Sequence, residues 1–161
     1  MLDPSPILRQ LAKEKVDYVV IGGIAMTARG CAHVTDDLDI CYRRTASNLA
    51  AIAAALAPLH PYLRGAPPGL PFRLDVPTLQ AGLNFTLITD QGALDLLGEV
   101  SGVGTYDDVF AQSTEEDLYG LRGRVLTVEA LIASKKAAAR IKDRNHLLEL
   151  EELKKMQEDK G

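Results

Sequence analysis

The chain has 161 residues, 47% of them hydrophobic, and a mean hydropathy close to zero, which suffices for one core with a helical appendage and excludes two independent domains. A formal net charge of -4 and a pI of about 5.4 exclude the global basic field that wraps long nucleic acid, leaving room only for a local basic pocket for a phosphate or an RNA end. Cys31 and Cys41 lie outside any Cys-x-x-Cys or Cys/His cluster, the N-terminus lacks a leader pattern, and the longest apolar stretch is the alanine-rich Leu49 to Leu59, so the expectation is a cytoplasmic protein with reduced thiols and no membrane partner.

Ser5-Pro6 is a good helix start, with Ile7, Leu8 and Leu11 on one face before Lys13-Glu14-Lys15. Tyr18 to Ile21 reads as a buried strand stopped by Gly22-Gly23, and Ile24 to Arg29 as a short helix ended by Gly30. Leu38 to Tyr42 looks like a second strand. Thr45 or Ser47 can cap the next helix, whose face Leu49, Ile52, Leu56 runs to Pro58. From His60 to Val76, with Pro61, Pro67, Pro68 and Pro71, the chain reads as a long connection. Leu83 to Ile88 and Ala93 to Leu97, separated by Thr89-Asp90-Gln91-Gly92, suggest an antiparallel hairpin with Asp95 in its second arm. After the glycine-rich stretch Gly98 to Gly104 come a helical turn at Tyr106 to Ala111 and a short strand pair around Gly120 to Gly123. Thr127 can cap a helix through Leu131, Ile132, Ala138 and Ile141, and a last amphipathic helix runs from about His146 with Leu147, Leu150, Leu153 and Met156.

Asp37 and Asp39 stand one residue apart in an expected strand, so the two-residue side-chain period puts both carboxylates on one face. Such a pair suits Mg2+, which takes oxygen ligands and combines one or two carboxylates with water and substrate phosphates. The plainer interpretation is a pair of solvated acids at a strand edge. Three further features count against it. The Gly22-Gly23 turn, entering a helix, offers backbone amides to a phosphate. Asp95 is an acid in an otherwise apolar strand and needs a partner or a metal. Lys135 lies close to the Leu131/Ala138 stripe, where a cation is unusual unless it meets an anion.

The arrangement strand-Gly22-Gly23, then Thr35-x-Asp37-Leu38-Asp39, then Asp95 in a later strand, resembles the nucleotidyltransferase superfamily of the polymerase-β type, closest to small bacterial MNT-like and AbiEii-like members. The spacing of Lys135, Arg140 and Lys142-Asp143 is similar to a C-terminal signature of those proteins, in which the cations face nucleotide phosphates. The sequence departs from the pattern at Gly23, His33 and His146.

The resemblance implies an α+β chain with the nucleotidyltransferase fold: one domain over 1–161, a mixed twisted sheet of about five strands flanked by helices, and 127–161 as its C-terminal helical part. It makes Asp37, Asp39 and Asp95 both metal ligands and catalytic residues, with Asp95 as a general base, and Mg2+ (or Mn2+) the cofactor. Gly22, Gly23, Thr35, Lys135, Arg140 and Lys142 become the nucleotide-binding set. The implied substrate is a nucleoside triphosphate, ATP among them; the acceptor is a protein side chain, an RNA end or a small molecule, and a toxin or antitoxin partner is implied by the nearest members. The rival interpretation is a noncatalytic nucleotide-binding or antitoxin-like protein of the same fold. An Arg140-x5-His146 spacing resembles HEPN ribonucleases, but those are all-helical and the strands leave too little chain for such a domain. One of Arg43 and Arg44 could reach substrate, while His33 reads as exposed.

Overall fold

The computed structural model describes residues 2–32, 35–138 and 141–160. Among them a seven-stranded mixed sheet runs in the order β3-β4-β5-β2-β1-β9-β8, where β1 is Tyr18–Ile21, β2 Asp37–Tyr42, β3 Tyr62–Leu63, β4 Asn84–Thr89, β5 Gly92–Leu97, β8 Ser113–Leu118 and β9 Leu121–Leu126. β6 (Glu99–Val100) and β7 (Gly104–Thr105) form a separate two-stranded ribbon. The helices are α1 (Ser5–Lys13), α2 (Gly22–Ala28), α3 (Ala46–Leu56), α4 (Val76–Ala81), α5 (Tyr106–Ala111), α6 (Val128–Ala138) and α7 (Ile141–Lys160). No helix among the described residues is long and apolar enough to cross a membrane.

Two parallel pairings, β2 with β5 and β1 with β9, sit among antiparallel ones. Along β2, β4 and β5 one face is apolar and closed: Leu38, Ile40, Leu87, Leu94 and Leu96 are fully buried, in one core with Ile7, Leu8 and Leu11 of α1, Leu49, Ile52 and Leu56 of α3, and Leu79 of α4. That burial fixes the register, because a one-residue slip would drive the acids of β2 and β5 into the core. Thr45 caps α3, accepting from the Asn48 amide, and Thr127 does the same for α6 through the Ala130 amide.

The proline-rich segment is not structureless. It contains β3, which extends the sheet beyond β4, and it leads to α4, where Asp75 caps the helix by accepting from the Thr78 amide and Pro77 occupies the first turn. β8 and β9 are longer than the expected pair around Gly120, and the sheet carries seven strands rather than about five. β8 is an edge strand bearing Glu115, Glu116 and Asp117, charges that blunt edge-to-edge pairing and mask the strand in sequence. α7 begins at Ile141 instead of His146, since its inward face opens with the buried polar residues Asp143 and His146 before Leu150.

Candidate active site

The open face of the sheet carries the acids. Asp39 of β2 stands directly opposite Asp95 of β5 in the parallel register, and Asp37 follows on the same face of β2. One carboxylate oxygen from each of Asp37, Asp39 and Asp95 lies within 4.8 Å of the others, and all three residues are partly exposed. Opposite Asp39 on its other side is Ile21, the last residue of β1, so the β1–α2 turn meets the acid row. Gly22 in that turn has φ +66°, and a Cβ built there would lie 2.1 Å from Asp39 Oδ2. Only glycine permits both the left-handed backbone and this approach.

The acids line one wall of a cavity of about 330 Å3 whose other walls include Gly22, Thr86, Leu131, Ser134 and Lys135. The donor set is oxygen alone: burial pushes the Cys41 thiol, two residues beyond Asp39, up to about 12. Three oxygen donors at this spacing beside open space fit Mg2+ or Mn2+ and do not fit a metal that requires thiolate or imidazole.

No family model matches the sequence, and no curated protein matches it. Solved structures do. LnuA, a lincosamide antibiotic adenylyltransferase in its lincomycin-bound form, is similar with a TM-score of 0.61 at 13% identity, over 94% of this chain and 98% of that one. A Thermotoga maritima protein assigned as a nucleotidyltransferase matches with a TM-score of 0.60 at 16% identity, over 91% of this chain and 92% of its own. The antibiotic-resistance factor ANT(2'')-Ia matches with 0.56 at 14% identity, over 97% and 89%. The chain has the nucleotidyltransferase fold.

Within that nucleotidyltransferase fold, Thr35 positions an acid: its Oγ1 donates to the Asp37 backbone oxygen at 3.1 Å and lies 3.2 Å from Asp37 Oδ1. Gly23 is buried in α2, and its carbonyl accepts from Thr27 Oγ1 at 3.1 Å. Lys135 reaches the cavity wall from α6 but is already engaged, its Nζ donating to Asp143 Oδ1 at 3.2 Å with the two side chains only 10% and 1% exposed. Arg140, His33 and the Lys142 side chain lie outside the described residues. Arg43 pairs with Asp17 and stacks over the Tyr106 ring. Arg44 donates to Tyr42 Oη and to the carbonyls of Leu79 and Gln80, and neither arginine lines the cavity.

Sequence reasoning missed Arg64. It follows β3 directly, and its amide donates to the Thr86 carbonyl at 3.0 Å, carrying the β3–β4 pairing one residue further. Its Nη2 donates to Asp95 Oδ1 at 2.8 Å and to the Leu87 carbonyl at 2.7 Å, and Nη1 stands 3.9 Å from Asp37 Oδ2. The Tyr62-Leu63 pair before it was the sole sequence signal, a short apolar patch too brief to separate from its proline-rich surroundings.

Proposed function

We propose that the protein transfers a nucleoside monophosphate from a nucleoside triphosphate to a hydroxyl acceptor, with Mg2+ or Mn2+ held by Asp37, Asp39 and Asp95. The observation that carries this reading is the register pairing of Asp39 with Asp95 beside Asp37, within a nucleotidyltransferase fold. A bound divalent ion would supply positive charge beside the triphosphate and offset charge growing on the leaving group. The acceptor oxygen forms a bond to the α-phosphorus, the bond from that phosphorus to the bridging oxygen breaks, and pyrophosphate departs. Asp95, opposite Asp39 on the neighbouring strand, takes the hydroxyl proton. Thr35 holds Asp37 in place, Gly22 leaves Asp39 room, and Lys135, steadied by Asp143, presents a cation to the phosphates from the far wall.

LnuA holds lincomycin in its solved structure, which makes a small hydroxylated molecule the first acceptor class to test. The resemblance to MNT-like and AbiEii-like proteins adds a protein or RNA acceptor and a toxin or antitoxin partner. The test is incubation with each α-labelled nucleoside triphosphate, Mg2+ and these acceptors, comparing wild type with Asp37→Ala and Asp95→Ala. Label should reach an acceptor with wild type alone. Equal transfer by all three proteins would overturn the site, and triphosphate binding without any transfer would favour a noncatalytic role.

A further inference from the structure

Arg64, Thr86, Asp95 and Asp39 form one transverse row across the sheet, since Arg64 bonds to Thr86 through the backbone, Thr86 pairs with Asp95, and Asp95 pairs with Asp39. Three carboxylates with oxygens within 4.8 Å of one another repel when all are charged, and among the described residues it is this guanidinium that reaches them, 2.8 Å from Asp95 Oδ1 and 3.9 Å from Asp37 Oδ2. Lys135, which lines the cavity, is bonded to Asp143. The Arg64 pose is also incompletely satisfied: its Nε is buried and has no hydrogen-bond partner among the described residues, while the side chain as a whole is 32% exposed.

From this we infer that Arg64 is a resident counter-cation which offsets part of the carboxylates' charge before metal arrives and competes with a divalent ion for them, so that the metal enters together with the anionic triphosphate rather than ahead of it. The inference rests on the function proposed above. A guanidinium bonded to Asp95 and close to Asp37 raises the free energy of placing a second cation there, and a triphosphate lowers it again by adding negative charge and ligand oxygens of its own. Arg64 is thus a positioning residue for the metal site, and its two anchors, the Leu87 carbonyl and the Thr86 backbone bond, hold it within reach throughout.

The test is Mn2+ binding, followed by calorimetry and by the loss of free-ion paramagnetic resonance signal, with and without a nonhydrolysable triphosphate analogue, in wild type, Arg64→Gln, Arg64→Lys and Asp39→Asn. Without nucleotide, Arg64→Gln should bind Mn2+ about tenfold more tightly than wild type, as expected for removal of one close charge-assisted contact. Arg64→Lys, which keeps the charge, should stay near wild type, and the analogue should enhance Mn2+ binding more in wild type than in Arg64→Gln. Mn2+ affinity in Arg64→Gln that equals or falls below wild type, while Asp39→Asn still abolishes binding, would overturn the role of Arg64 and leave the proposed function standing. Absence of Mn2+ binding in every protein, with and without the analogue, would overturn both. A melting curve for each variant establishes that it is folded, and Arg64→Met, uncharged and of similar length, takes the place of Arg64→Gln in the comparison if Arg64→Gln is not.

Discussion

Replacing Gly22 with alanine should damage the site through a single atom. Two costs add. The φ of +66° places the new residue in the left-handed region, about 1–2 kcal/mol for an L side chain. The Cβ would also lie 2.1 Å from Asp39 Oδ2, so the carboxylate must leave its place, an overpacking cost of about 1–3 kcal/mol. Urea unfolding of Gly22→Ala should therefore show a loss of roughly 2–5 kcal/mol. Asp39→Ala removes the obstacle, so Gly22→Ala made in that background should cost only the backbone share, and the double-mutant cycle should give a coupling of about 1–3 kcal/mol. Mn2+ binding by the folded single variant should fall with the displaced carboxylate. A stability within about 0.5 kcal/mol of wild type, together with additive single and double variants, would refute the close approach of Gly22 and Asp39.

Lys135→Met takes the ammonium away from a carboxylate that is itself fully buried, and should cost about 3 kcal/mol in urea unfolding, part of which Asp143→Asn in the same chain should recover. A single-variant loss below about 0.5 kcal/mol would show that the pair contributes nothing. Alkali should destabilise the fold. Burial pushes both Cys41, from 9.0, and Tyr18, from 10.0, up to about 12, so below pH 9 the folded and unfolded chains are equally protonated at both groups. Above pH 9 the unfolded chain releases these protons first, and stability falls toward pH 12 by up to about 1.4 kcal/mol per unit for each group so affected. Cys41→Ala should flatten the part of that decline beginning near pH 9; an unchanged profile would contradict the burial of the thiol.

What could be read from sequence follows from the range of each signal. The shared face of Asp37 and Asp39 is a property of two neighbouring residues in a strand, and the caps at Thr45 and Thr127 are equally local. The pairing of Asp39 with Asp95 depends on two distant strands lying parallel, and periodicity within either strand carries no information on that. Arg64 was hidden for the same reason, being brought to the acids by a two-residue strand whose pairing partner is β4. Asp143 stood in view beside Lys142, but its partner lies on α6, and the inward face of α7 starts with polar residues that hydropathy treats as surface. Arg43 and Arg44 follow the acid strand so closely that substrate contact was a natural expectation; their engagement by Asp17, Tyr106 and the α4 carbonyls comes entirely from tertiary packing.

In the proposed reaction the α-phosphoryl group moves and pyrophosphate leaves. Parallel reactions with α-labelled and γ-labelled triphosphate, Mg2+ and a productive acceptor test it most directly. α-Label should appear on the acceptor and γ-label in pyrophosphate, both lost in Asp39→Asn. Transfer of γ-label to the acceptor, or release of α-label from the triphosphate undiminished in Asp39→Asn, would contradict it.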